Sequence, residues 1–195
     1  MKPENVIFAD ETLQNVKIID FGASCRDCAS GFFYVQSRYY RAPEIVLGNK
    51  YDHAVDMWSL GCIVYELITG KPLFPAKDEN ELIEFFVITV GCIPDQFVVT
   101  GKNYDKFYRR QTSLFGGVYH ELIRSRKTVL PNKLKERSED IRFLLRNHEV
   151  SEDIIDFIEK CLVHDPAMRL SPHEAQRHPW FYVQQRENQE LGNQL

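Results

Sequence analysis

Between Ala54 and Thr69 the apolar residues Met57, Leu60, Val64, Leu67 and Ile68 fall three, four, three and one positions apart, which places them on one helical face. Cys62 and Ile63 add apolar surface on other sides, so this helix is expected to be buried nearly all round. Gly70 and Pro72 end it. A second helix is expected after Asp78, an N-cap with Glu81 three residues on, a capping-box pattern that precedes Leu82, Ile83, Phe85 and Phe86. A third begins near Glu152 behind Ser151, with Ile154, Ile158, Cys161 and Leu162 on one face. A fourth opens Ser171-Pro172-His173-Glu174, with a serine cap, a proline in the first turn and a glutamate at the third position. Before these helices, Val6–Phe8 and Val16–Ile19 are short β-type runs separated by the mostly polar Asp10–Asn15, a pattern suited to a hairpin. The fold class expected is therefore mainly α with a small β element at its start, closed by a polar tail over Gln184–Leu195.

The 195 residues suit one domain with a sizeable core. No run of ~18 apolar residues would span a bilayer, and Met1-Lys2-Pro3-Glu4-Asn5 does not read as a signal peptide. Five scattered cysteines argue against a disulfide framework and for a reducing compartment, cytoplasmic or nuclear. The net charge of -4 gives no support for nucleic-acid or membrane binding. It is unevenly spread: from Gly101 to Arg137 ten basic residues face three acidic ones, a local +7. That stretch is either a solvated insert or a docking surface for acidic or phosphorylated partners.

Candidate chemistry lies in four strings. Lys2-Pro3-Glu4-Asn5 is followed by Asp20-Phe21-Gly22, a carboxamide and a carboxylate of the hard-oxygen type that suits Mg²⁺. Ser37-Arg38-Tyr39-Tyr40-Arg41-Ala42-Pro43-Glu44, Asp56-Met57-Trp58-Ser59-Leu60-Gly61 and Asp165-Pro166-Ala167-Met168-Arg169 come after it. In this order and at these separations they resemble the protein kinase family, from Lys2 to about Trp180. The run Tyr34-Val35-Gln36-Ser37-Arg38-Tyr39-Tyr40-Arg41-Ala42-Pro43-Glu44 is similar to the dual-specificity tyrosine-regulated kinases (DYRK) of the CMGC group, as are Ser24-Cys25 and Cys161-Leu162-Val163-His164-Asp165-Pro166. The homeodomain-interacting kinases share the Ser-Arg-Tyr-Tyr-Arg run. The first tyrosine of the usual Tyr-x-Tyr pair is Phe32 here, which leaves Tyr34 as that pair's phosphoacceptor.

The resemblance implies a partial kinase domain over 1–183, the C-terminal lobe, with an activation segment at 20–44 and a CMGC-type insert at about 95–150. It implies ATP and Mg²⁺ as cofactors and proteins with Ser/Thr sites as substrates. Asn5 and Asp20 would hold Mg²⁺, and Lys2 would touch the transferring phosphate or steady the catalytic aspartate. Ser37 would line the loop that receives the substrate's next residue. Tyr34, once phosphorylated, would meet Arg38 and Arg41. Glu44 and Arg169 would form a buried ion pair, and Asp56 would hydrogen-bond the catalytic-loop backbone. Kinases of this family read His-x-Asp-x-Lys-Pro-Glu-Asn, so the aspartate that takes the substrate proton would precede Met1. The glycine-rich loop, the phosphate-anchoring lysine, its helical glutamate partner and the hinge of the N-terminal lobe have no counterpart in the 195 residues. The chain as written is therefore expected to be inactive by itself, its alternative role being that of a non-catalytic binding or scaffold module. A helix that would pack along Ala54–Thr69 in the family has no counterpart either, so apolar side chains on that face are expected to lack a partner.

Weaker signals have blander readings. Cys25 and Cys28 have zinc-knuckle spacing but no second pair. His164, His173 and His178 read as capping or packing residues. Tyr104, Phe107 and Tyr108 among basic residues suit a kinase insert better than a nucleic-acid stacking platform.

Overall fold

The structure, a computed structural model, describes residues 1–25, 35–124 and 140–182. Cys28, Phe32 and Tyr34, the basic residues from Arg126 to Arg137, and the tail over Gln184–Leu195 lie outside the described residues.

The chain opens with a 3-10 turn over Pro3–Asn5 that passes into β1 (Val6–Phe8). β1 pairs antiparallel with β2 (Val16–Ile18), Val6 opposite Ile18 and Phe8 opposite Val16. Asp10 organises the connection, its carboxylate accepting from the hydroxyl and amide of Thr12 and from Asn15 Nδ2. The Thr12 hydroxyl, then the Asn15 amide, hold its carboxyl below the usual carboxylate range. Both faces of this hairpin are open, Ile7, Phe8, Val16, Ile18 and Ile19 all being exposed.

The rest is built around α2 (Ala54–Thr69), which Asp52 starts by accepting the Ala54 amide at 2.8 Å. Trp58, fully buried at its centre, stacks on Phe74 at 5.9 Å and meets Phe86 edge-on at 5.0 Å. Phe86 belongs to α3 (Glu79–Thr89). Asp78 caps α3 through the Glu81 amide at 2.9 Å, but the return bond expected of a capping box falls one residue earlier, on the amide of Lys77. Of the α2 face expected to stand open, Met57 and Val64 are buried while Leu67 is 75% exposed. Leu73 and Phe74, in the loop after Lys71, are buried too, and a cluster of exposed apolar side chains lies on the β1–β2 hairpin.

A short α1 (Pro43–Leu47), buried throughout, precedes α2 and ends at Gly48 in the left-handed conformation. After α3 come α4 (Asp95–Thr100), α5 (Tyr104–Phe107) and a second hairpin, β3 (Tyr108–Thr112) with β4 (Val118–Leu122). Then α6 (Ile141–Leu145), capped by Asp140, leads to α7 (Glu152–Cys161), capped by Ser151, and to α8 (Pro172–Ala175). The Ser171–Glu174 pair that opens α8 is a complete capping box. On α7 the buried face is Ile155, Ile158 and Cys161, with Ile154 at its edge. Gly61 lets α7 approach α2: a Cβ there would lie 2.8 Å from Cys161 Cβ. Among the described residues no helix is long and apolar enough to cross a membrane.

Candidate active site

Asn5 ends the opening 3-10 turn and Asp20 follows β2, so hairpin pairing brings their neighbourhoods together. Two bonds fix the juxtaposition: the Ile19 amide donates to the Asn5 carbonyl at 2.9 Å, and Asn5 Nδ2 donates to the Ile19 carbonyl at 3.1 Å. The Asn5 side chain is thereby anchored at the residue before Asp20, and its carbonyl oxygen is the atom suited to a hard cation. Asp20 has φ +62°, a left-handed backbone that aspartate tolerates better than most residues. The Gly22 amide donates to its carboxylate at 3.4 Å, and Ser24 closes the following turn on the Phe21 carbonyl.

One amide oxygen and one carboxylate are hard donors, and among the described residues no set of three or more His, Cys, Asp or Glu side chains is placed to cage a metal. A two-donor site that leaves the other positions to water and phosphate fits Mg²⁺ better than a structural metal. Lys2 lies half-buried at the start of the same turn. The carboxylate of Asp56, in the first turn of α2, accepts the Met1 nitrogen at 3.2 Å, and Ser59 Oγ lies 3.5 Å from the same nitrogen.

The second part of the site is the segment before α1. Gln36 has φ +65°, and its side chain spans to α2, donating to the Val55 carbonyl at 2.9 Å and to Ser59 Oγ at 2.8 Å. It also accepts the Ala42 amide at 3.0 Å. Arg41, 2% exposed, donates to the carbonyls of Val35 (3.1 Å) and Gln36 (2.9 Å) and to Glu79 (3.1 Å). Glu79 also holds Lys106 from α5. Arg38 donates to the Lys77 carbonyl at 2.6 Å, and its Nε is buried without a partner among the described residues. Ser37 is exposed between them. Arg41 is thus a buried clamp on the Val35 and Gln36 carbonyls, and Tyr34, which Arg38 and Arg41 were expected to meet, is outside the described residues. Gln36 and Glu79 were not legible as site residues. Nothing in a glutamine forecasts left-handed backbone, and Glu79 reads as an ordinary first-turn acid.

Glu44, on α1, meets Arg169 in a doubly bonded buried pair, described further below. The hydroxyl of Tyr40 donates to Glu66 at 2.7 Å; burial, then that carboxylate, pushes its phenol well up. Of the weaker signals, His178 is buried on Asp156 at 2.8 Å and packs against Phe157, and His164 bonds the Gly91 carbonyl at 2.9 Å. Both are packing residues. Cys62 and Cys161 are free and buried, and burial pushes the Cys161 thiol up to about 12, the opposite of a reactive or metal-binding thiolate.

Comparison with known proteins places these residues in context. The family model described as "Protein kinase domain" matches residues 1–181. The chain is 38% identical over 185 residues to dual specificity tyrosine-phosphorylation-regulated kinase 4 of Homo sapiens, covering 93% of this chain and 33% of that protein. It is 35% identical to dual specificity tyrosine-phosphorylation-regulated kinase mbk-2 of Caenorhabditis elegans, over 93% of this chain and 23% of the relative. A probable serine/threonine-protein kinase, dyrk2, of Dictyostelium discoideum is likewise 35% identical, over 93% of this chain and 19% of its own length. The chain therefore spans a third or less of the length of these curated relatives.

Proposed function

This chain belongs to the protein kinase family, and from that premise we propose that it supplies the metal-holding and substrate-receiving half of a serine/threonine kinase that also phosphorylates its own tyrosine. Protein kinases use ATP with Mg²⁺ and act on proteins. The observation that carries the reading is the pair of bonds between Asn5 and Ile19, which holds the Asn5 carboxamide at the residue next to Asp20.

Asn5 and Asp20 would hold Mg²⁺ with an oxygen each, and the bound ion would supply positive charge to offset that of the phosphates. The Asn5 side chain is already held by one bond to the Ile19 carbonyl before any ligand arrives. Lys2, on the same turn, is placed to steady a phosphate or the group that takes the substrate proton. The substrate chain passes over Gln36 and Ser37. The Gln36 carbonyl already accepts from Arg41, so it has a partner without an N–H from the residue that follows the phosphoacceptor. A proline there, which has no N–H to satisfy, loses nothing at that point. The 195 residues contain no Gly-x-Gly-x-x-Gly loop. The proposed activity is accordingly that of a complete catalytic domain, and the segment by itself is expected to transfer no phosphate.

The test pairs binding with turnover. Mn²⁺ titrated into the isotopically labelled chain should broaden the amide resonances around Asn5 and Asp20, and Asp20→Ala should abolish that broadening. In the complete kinase, Asp20→Ala should remove ATP-dependent transfer to a basic Ser/Thr peptide. Equal broadening elsewhere in the chain, or full transfer by the Asp20→Ala kinase, would overturn the assignment.

A further inference from the structure

A second concave site is lined by none of Asn5, Asp20 or the residues of the segment before α1. It is a cavity of about 370 Å³ bounded by Val99 of α4, Tyr104 of α5, and Arg110, Val118 and His120 of the β3–β4 hairpin. That volume is enough for one or two side chains of a ligand. The hairpin register puts Arg110 opposite His120 and Thr112 opposite Val118. Alternation along the strands therefore sends Arg110, His120 and Val118 to one face, and Arg109, Gln111, Tyr119 and Glu121 to the other.

The back wall is built in advance. The Tyr104 hydroxyl lies 2.8 Å from His120 Nδ1, its ring meets the imidazole edge-on at 5.5 Å, and it stacks on Tyr108 at 6.4 Å. The front is open and two-toned. Val99 and Val118 are both 48% exposed, and Arg110 is exposed with no ion pair among the described residues. The carboxylate of this hairpin, Glu121, is on the far face and takes a bond from Gln111 at 2.9 Å. All of the lining residues but Val99 belong to Gly101–Arg124, where five basic residues (Lys102, Lys106, Arg109, Arg110, Arg124) face two acidic ones (Asp105, Glu121), a local +3 in a chain of net -4, so the local field favours anionic segments.

We propose that this cavity is a docking site for an extended acidic–apolar segment of a protein partner, with an aliphatic side chain between Val99 and Val118 and a carboxylate on Arg110. The spacing supports an i, i+2 pattern in that segment. Arg110 and Val118 are diagonal cross-strand neighbours, about 7–8 Å apart at the backbone, and alternate side chains of an extended peptide lie about 6.6–6.8 Å apart. A single-stranded nucleic acid is the poorer occupant. It needs free aromatic faces, whereas Tyr104 is engaged by Tyr108 and His120, and Tyr108 is 5% exposed.

The two adjacent arginines provide the test, because they carry the same charge on opposite faces. The complete chain, labelled with ¹⁵N, is titrated with the peptide acetyl-Gly-Ser-Leu-Ser-Glu-Ser-Gly-amide and with the same peptide carrying Gln in place of Glu. The acidic peptide should shift the amides of Val99, Tyr104, Val118 and His120 in a saturable way. Arg110→Ala, or the Gln peptide, should weaken binding by roughly tenfold, the loss of one charge-assisted hydrogen bond. Arg109→Ala should leave it within about twofold, as expected for a screened charge on the far face. Equal losses for the two arginine variants would reduce the effect to bulk charge and overturn the site. So would an absence of shifts around the cavity, or tighter binding of an oligothymidylate with shifts at Tyr104.

Discussion

Arg169 grips Glu44 across 125 residues of sequence with two parallel bonds, Nη1 to Oε1 at 2.7 Å and Nη2 to Oε2 at 2.9 Å, and neither side chain is more than 1% exposed. The guanidinium also donates to the carbonyls of Ala54, Val163 and His164, so it joins α1, the start of α2 and the loop after α7 in one fixture. Its plane lies over the Trp58 ring, 5.3 Å from the centroid. Such a pair does not guarantee net stability, but breaking one side strands a buried charge at a cost of ~3–5 kcal/mol. Glu44→Ala should therefore lower the urea midpoint by an amount of that order or leave the chain unfolded. A loss below ~1 kcal/mol would place the pair in the solvent-exposed class.

The approach of α7 to α2 depends on Gly61. A methyl group there would press on Cys161 Cβ at 2.8 Å and on Leu162 at 3.1 Å, in a core with no room to yield. Gly61→Ala should raise helix propensity by up to ~1 kcal/mol yet destabilise overall by ~1–3 kcal/mol through overpacking. Equilibrium unfolding measures the sign. A more stable Gly61→Ala protein would mean the helices simply shift apart.

His164 should make stability pH-dependent. Burial, its main cause, pushes the imidazole down to about 4, against a weaker opposing pull from the Gly91 carbonyl. The folded value lies below the unfolded one, so the unfolded chain binds the proton more readily. The contribution is present above the ordinary imidazole value near 6.5 and is lost as pH falls from there toward 4, about 3 kcal/mol in all. Unfolding free energies at pH 7 and pH 4.5 should differ less in His164→Gln, which keeps a donor for Gly91, than in the unsubstituted chain. Identical pH slopes would exclude His164 as the titrating group.

The helices that pack tightly were the legible ones. Ala54–Thr69 showed its end and much of its burial in its apolar positions, Leu67 excepted, and Ser151 and Ser171 marked starts that the structure retains. What escaped was built by tertiary contact. α1 is five residues long and stands on Glu44–Arg169, not on periodicity. β3 and β4 lie in a stretch whose charges masked their alternation, and the capping box at Asp78 slid to Lys77 because a backbone amide one residue earlier was the nearer donor. At the candidate site, the residue types of Asn5 and Asp20 could be read from the chain. The commitment of the Asn5 nitrogen to Ile19 and the left-handed backbone of Asp20 could not, since both arise from hairpin pairing.

Gln36 offers the sharpest separation of backbone strain from side-chain bonding. Its φ of +65° is a conformation that costs a residue with a Cβ ~1–2 kcal/mol and costs glycine almost nothing. Its side chain repays that cost with bonds to the Val55 carbonyl, Ser59 Oγ and the Ala42 amide. Gln36→Ala discards the bonds and keeps the strain, whereas Gln36→Gly discards both. At ordinary positions alanine is the more stabilising of the two, because glycine loses more chain entropy on folding. Here the order should invert, with Gln36→Gly the milder substitution by ~1 kcal/mol. Hydrogen exchange at the Ala42 amide, which loses its acceptor in both variants, should speed up in each and more so in Gln36→Ala. If alanine is instead the milder substitution, the left-handed backbone at Gln36 is not the strained clamp described here.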